Sequence, residues 1–269
     1  MLANHRALRL VMEGKRAVAV DCGDKGVVAG REVILSAGTF ASPHLLMLST
    51  SSPFWMGRKT GFHSYRSIIF TNFPRTGIPD VYQSYSEFEQ YVQTLIATKS
   101  IDNAKKIWWD LRPHPIFGTL EVRVCDIATK VDEAIMLAAF VQAIFVKIYT
   151  LFRQNQTFRV YNRSLINENK WRAARYGLDG KLIDFGKKEE LPARALMLEL
   201  REFVEDVVDD LGSRSAVDYI YTVLENGTSA DRQLKTYAET NDLTAVVDQL
   251  IRETMEGVPM DEPAAETPA

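Results

Sequence analysis

Ile107-Trp-Trp-Asp-Leu-Arg-Pro113 and Thr119-Leu-Glu-Val-Arg-Val-Cys-Asp126, joined by His114-Pro-Ile-Phe-Gly118, carry the pattern that decides the fold. Both runs alternate, as a strand's side chains must when successive residues point to opposite faces. Ile107, Trp109 and Leu111 share one face, with Trp108, Asp110 and Arg112 on the other. In the second run Leu120, Val122 and Val124 oppose Thr119, Glu121, Arg123 and Cys125. The five residues between them suit a hairpin connection. With the apolar faces aligned, Asp110, Arg112, Glu121 and Arg123 lie on one surface. That surface is either a solvated sheet face with cross-strand ion pairs or a site for phosphates and carboxylates. Arginine suits the latter because its planar fork binds those groups bidentately.

Upstream, a helix is expected from Glu87 to Ala97, capped by Ser84 or Ser86. Its Phe88, Tyr91, Val92, Leu95 and Ile96 follow the 3.6-residue period. Gly57-Arg-Lys-Thr-Gly61 is a basic glycine-rich loop that lacks P-loop spacing, and short strands are expected around Arg66 to Asn72. Residues 1 to 49 read as strand, turn, strand, turn, helix. Arg16–Asp21 is the first strand, Glu32–Ser36 the second, and a helix opens at Ser42-Pro43 with the serine as cap.

Downstream, Ala134 to Phe152 is the most apolar stretch. Gln142 and Lys147 interrupt it and Asp132 and Glu133 precede it, which favours a buried core helix over a membrane span. A helix from Glu168 to Tyr176 ends at Gly177, placing Arg172 and Arg175 on one face. That face is either solvated or a nucleotide phosphate contact. Lys181 to Phe185 suggests a strand, and from Pro192 onward the chain reads as helices over Ala195–Leu211, Ala216–Asn226, Ala230–Glu239 and Leu243–Met255. Residues 258–269 form a Pro/Ala/Glu-rich tail of disordered composition.

The bulk properties narrow the function classes. The chain has 269 residues, 46% hydrophobic and 25% charged, with a formal net charge of -3. No global charge draws it to nucleic acid or a membrane. Cys22 and Cys125 are the only cysteines and suggest a reducing cytoplasm. The four histidines lack metal-ligand spacing.

Five segments in order, Ser51–Gly61, Ser64-Tyr-Arg66, Ile107–Pro113, Thr119–Asp126 and Glu168–Gly177, followed by Asn226-Gly-Thr-Ser-Ala-Asp-Arg-Gln233, resemble the bacterial carboxylate–amine ligases related to glutamate–cysteine ligase. The resemblance covers residues 50–257. It implies an α+β, glutamine-synthetase-like fold, with an antiparallel sheet around the site, packed helices and a helical C-terminus. It implies activation of a carboxylate by ATP to an acyl phosphate, which an amine then attacks. Glu121 would hold Mg²⁺; Arg66, Arg112 and Arg123 would hold phosphate or substrate carboxylate; Asn169, Arg172 and Arg175 would meet the nucleotide. The expected ligands are ATP, Mg²⁺, and an amino acid or other small carboxylate with its amine. Residues 1–49 instead resemble a fragment of a glucose–methanol–choline oxidoreductase. The ligases' Gly-x-Glu-x-Glu and Gly-x-His-x-His-x-Gly motifs do not occur. The chain therefore reads as a truncated ligase joined to another fragment, with a non-catalytic interaction or regulatory homologue as the alternative. A sheet lacking strands exposes edges, and a second copy pairing there, as a homo-oligomer, would cover them.

Overall fold

The computed structural model describes residues 9–13, 16–21, 27–29, 41–82, 84–156 and 161–257. The expected strand at Glu32–Ser36 and the tail at 258–269 lie outside the described residues. In chain order, β1 (Arg9–Glu13), β2 (Arg16–Asp21) and β3 (Val27–Ala29) form an antiparallel sheet in that order. Then come α1 (Ser42–Ser49), β4 (Phe54–Trp55), β5 (Arg58–Lys59), α2 (Tyr65–Phe70), β6 (Thr76–Gly77) and α3 (Tyr85–Ala97). The middle holds β7 (Trp108–Trp109), β8 (Leu111–Pro113), β9 (Leu120–Val122), α4 (Val131–Arg153) and α5 (Arg163–Tyr176). The rest is β10 (Lys181–Asp184), β11 (Glu189–Pro192), α6 (Ala193–Phe203), α7 (Glu205–Val208), α8 (Arg214–Asp218), α9 (Ile220–Asn226), α10 (Ser229–Thr240) and α11 (Leu243–Met255). The class is α+β. Among the described residues the strands form pairs and one three-stranded sheet rather than a single wrapping sheet.

The main core is helical. Leu46, Met47 and Leu48 of α1, Met136 and Phe140 of α4, Ala173 and Ala174 of α5, and Met197 of α6 are all buried in it. Helix α1 therefore packs into the same core as residues beyond 50. The two alanines on α5 let α1 approach closely, as small side chains do at helix crossings. A second cluster joins Phe88 and Val92 of α3 to Ile107 and Trp109, with Tyr91 stacked on Trp109 at 5.3 Å between ring centroids. Helix α4 is long and apolar enough to span a membrane, and its inner face is committed to the main core.

The hairpin forms with its apolar faces aligned, as expected. Arg112 faces Glu121 and Leu111 faces Val122. The connection closes with His114 N donating to Thr119 O at 2.7 Å, and Gly118 turns at φ +61°. On its other side the run pairs in parallel with β6, Thr76 opposite Trp108.

Four expectations change. Residues 66–70 are helix α2, not strand, because the Ser64 hydroxyl caps them by accepting from Ser67 N. Ser42 lies inside α1, and Ala41 is its cap residue, without a side-chain bond. The helix expected over Ala195–Leu211 breaks at Val204 into α6 and α7, and the one expected over Ala216–Asn226 is split at Tyr219 between α8 and α9.

Candidate functional site

The ionic face of the hairpin is half withdrawn from water: Asp110 and Arg112 are buried, Glu121 and Arg123 partly exposed. Arg112 is 5% exposed and Asp110 6%. The Arg112 guanidinium is fully engaged: Nε and Nη2 donate to Glu121 Oε2 at 2.9 and 2.7 Å, and Nη1 donates to the carbonyls of Ala104, Lys105 and Ile107. It ties β8 to the turn before β7. Glu121 also accepts from Arg123 Nη1 through its other oxygen. Burial opposes the Glu121 charge, but the two guanidiniums outweigh it and hold the carboxyl below its usual range.

A narrow cleft opens beside this pair. It is lined by Arg66, Phe70, Trp108, Asp110, Arg123 and Lys170, among others. Arg66 reaches it from α2, with its guanidinium 4.7 Å over the Phe70 ring and Nη2 donating to Arg123 O at 3.2 Å. Arg123 presents a buried Nε that has no hydrogen-bond partner. Lys170, from α5, meets Asp110 with Nζ 2.6 Å from Oδ2. The structure thus brings Arg66 and Arg123 together and adds Lys170, while Arg112 stands behind them as a brace. One sequence signal marks Lys170: Ala173 and Ala174, three and four residues on, share its helical side and are buried.

Asp126 organises the segments that carry Arg66. Its side chain is buried and accepts from Ser51 N, Ser52 Oγ and Ser64 Oγ at 3.1, 2.8 and 2.8 Å, with Arg66 Nη1 at 3.6 Å. The Asn226–Gln233 segment docks onto the same stretch. Thr228 Oγ1 meets Thr50 Oγ1 at 2.8 Å, and Gln233 Nε2 donates to Ser51 O at 2.8 Å. Neighbouring Cys125 has its thiol pushed up to about 11, chiefly by burial, so it stays protonated at neutral pH and is no nucleophile.

The three expected nucleotide contacts do not converge. Asn169 is buried, and its amide exchanges two hydrogen bonds with the Ile183 backbone, pinning β10 to α5. Arg172 points outward to Glu168 and Glu190. Arg175 lies 5.0 Å over the Phe62 ring in a separate open pocket that also holds Lys59 and His63. Sequence reasoning missed His63 and Asp231, whose side chains meet at 3.2 Å although 168 positions separate them.

Magnesium does not fit Glu121. Its oxygens already face two guanidiniums, and among the described residues no group of three or more His, Cys, Asp or Glu could hold a metal ion. The cleft's cations and the unpartnered Arg123 Nε do fit an anionic oxygen, such as that of a phosphate or carboxylate.

Comparison with known proteins gives the family. The model of the glutamate–cysteine ligase family 2, GCS2, matches residues 18–254, so the match reaches into residues 1–49, which were expected to lie outside that family. A protein of Herpetosiphon aurantiacus, named "Putative glutamate--cysteine ligase 2", is 77% identical over 229 residues, 85% of this chain and 60% of that protein. One of the same name from Chloroflexus aurantiacus J-10-fl is 68% identical over 226 residues, 84% of this chain and 58% of that protein. Another, from Sorangium cellulosum, is 52% identical over 234 residues, 86% and 62% of the respective chains. The chain thus spans about 60% of the length of the relatives it matches. With the family pattern running through nearly all its described elements, this chain belongs to the glutamate–cysteine ligase family 2.

Proposed function

We propose that the chain carries the anion-handling part of an ATP-dependent carboxylate–amine ligase of the glutamate–cysteine type. In such a reaction a phosphoryl group passes from ATP to a substrate carboxylate. The amine then attacks the acyl carbon and phosphate leaves. Both steps gather negative charge on oxygen, and fixed cations in a water-poor cleft stabilise that charge without reorganising. Arg66, Arg123 and Lys170 are such cations. Arg112 holds Glu121, and Glu121 in turn holds Arg123, so the guanidinium is oriented before a ligand arrives. The observation that carries the reading is the buried Arg123 Nε with no hydrogen-bond partner, in a cleft shared with Arg66 and Lys170.

The purified chain incubated with ATP, magnesium, glutamate and cysteine should release ADP, and Arg123→Gln should abolish that release while leaving the fold intact. Absence of ADP above the blank across a panel of amino acids would overturn the reading. The engagement of both Glu121 oxygens by arginine favours a second one, a non-catalytic regulatory homologue. That reading predicts a stable complex with an intact ligase and no ADP release.

A further inference from the structure

Helix α4 has two faces. Met136, Phe140 and Ala143 turn inward to the main core, but no residue of α4 after Ile144 is buried, although Phe145-Val-Lys-Ile-Tyr-Thr-Leu-Phe152 is mostly apolar. Away from the core, Val131, Ile135, Ala138, Gln142, Phe145, Tyr149 and Phe152 follow one another at alternating steps of four and three. Phe145 is half-buried and the others are exposed, Val131 by 53% and Phe152 by 56%. Such steps give the repeat of a coiled-coil seam, and a stripe of this kind is narrower than the face a helix turns to a core. The partner that fits it is another helix.

The stripe is complementary to itself. Its first half carries the smaller side chains Val131, Ile135 and Ala138, and its second half carries the rings of Phe145, Tyr149 and Phe152. Set antiparallel about a two-fold axis level with residues 143 and 144, Tyr149 of one copy falls opposite Ala138 of the other, Phe152 opposite Ile135, and Phe145 opposite Gln142. The same register brings Asp132, in the acidic first turn, beside Arg153, in the last turn, once at each end. Opposite charges then meet at both ends and the helix dipoles oppose one another. Run in parallel, rings face rings and Asp132 lies a helix length from Arg153. A lone polar residue in a seam, here Gln142, fixes register at some cost in stability.

We propose that α4 pairs with α4 of a second copy in this antiparallel register, so that the chain forms a two-fold dimer on this helix rather than on its strand edges. Each patch meets its own image, so the assembly closes at two. A bilayer is the poorer occupant: it would need the helix to leave the core that buries Met136 and Phe140, and it would place Gln142 at mid-depth. A helix of 23 residues is about 35 Å long and about 10 Å wide. The seam is therefore smaller than the roughly 800 Å² per partner of a standard interface, and the dimer is weak, on the order of micromolar. It rests on neither reading of the Arg66–Arg123–Lys170 cleft.

Sedimentation velocity of the full chain, at concentrations on the order of 1 to 100 µM, should show monomer giving way to dimer. Ala138→Glu and Tyr149→Glu, both at exposed positions, should each weaken the dimer roughly tenfold or more while leaving the urea midpoint unchanged. Asp132→Arg should weaken it severalfold by setting like charges together at both ends, and adding Arg153→Asp should restore it. A chain that stays monomeric throughout, or a dimer that tolerates both glutamates, overturns the proposal. A dimer weakened by Asp132→Arg and weakened further by the added Arg153→Asp overturns the antiparallel register. Co-sedimentation with phosphatidylcholine vesicles, abolished by the same glutamates, assigns the stripe to a bilayer and overturns the dimer as well. ADP release bears on the cleft and not on this face.

Discussion

Lys170 Nζ lies 2.6 Å from Asp110 Oδ2, and both side chains are almost fully withdrawn from water. The pair ties α5 to the link between β7 and β8 at the wall of the cleft, so it is a structural tie as well as a local source of charge. Deleting one partner of a buried pair strands the other charge, which costs about 3–5 kcal/mol. Lys170→Met should lower stability by that order in urea unfolding. The double variant Lys170→Met/Asp110→Asn should recover much of the loss. A single variant as stable as the wild type would show that the pair is not formed.

Asp126 accepts from three donors at a fully buried position, with the Arg66 guanidinium at 3.6 Å. Asp126→Ala leaves the Ser51 amide and the Ser52 and Ser64 hydroxyls without their acceptor. Each unsatisfied group costs about 1–3 kcal/mol, so the variant should be among the least stable in the chain. Asp126→Asn keeps one acceptor oxygen and should lose less. Equal midpoints for the two variants would contradict this hub.

Arg112→Lys should behave as a disruptive change despite keeping the charge. Lysine has three donors on one nitrogen and cannot span both Glu121 and the carbonyls of Ala104, Lys105 and Ile107. A loss of about 2–3 kcal/mol is expected, with ADP release or anion binding at Arg123 weakened in parallel because Glu121 is no longer held. Unaltered unfolding of Arg112→Lys would refute the bracing role.

The His63–Asp231 pair gives a pH signature. Burial opposes the His63 charge, but Asp231 and the Arg175 carbonyl outweigh it, so the folded pKa lies above the ordinary 6.5. Its contribution is complete below that unfolded value and fades as pH rises through the higher folded one. For Asp231, burial also opposes charge, while His63 and Thr228 hold the carboxyl below 3.8. That contribution is present above 3.8 and fades as pH falls through the lower folded value. The pair is therefore strongest between those unfolded values. His63→Gln should flatten the decline in urea midpoint on the alkaline side of pH 6.5. An unchanged profile would mean the imidazole does not titrate against Asp231.

Much was legible in the sequence. Alternation in Ile107–Pro113 and Thr119–Cys125 set the hairpin and the shared face of Arg112, Glu121 and Arg123, because a period of two fixes which side chains lie on one side. The 3.6-residue period and a serine cap placed α3, and an apolar run opening behind Asp132 and Glu133 placed α4. The ordered motifs gave the family. Arg66 was named without its setting, since α2 depends on a Ser64 cap that is itself buried against Asp126.

What the chain alone determined was local: faces, periods, turns and the charged residues that ride on them. The tertiary structure decided which of those charges remain available. Arg112 and Asn169 were spent on backbone groups, Arg172 on surface acids and Arg175 on aromatic rings, and Arg123 was left with an unpartnered Nε. The reason is physical: an arginine's role depends on whether partners distant in sequence satisfy its donors on folding, and no local pattern encodes that.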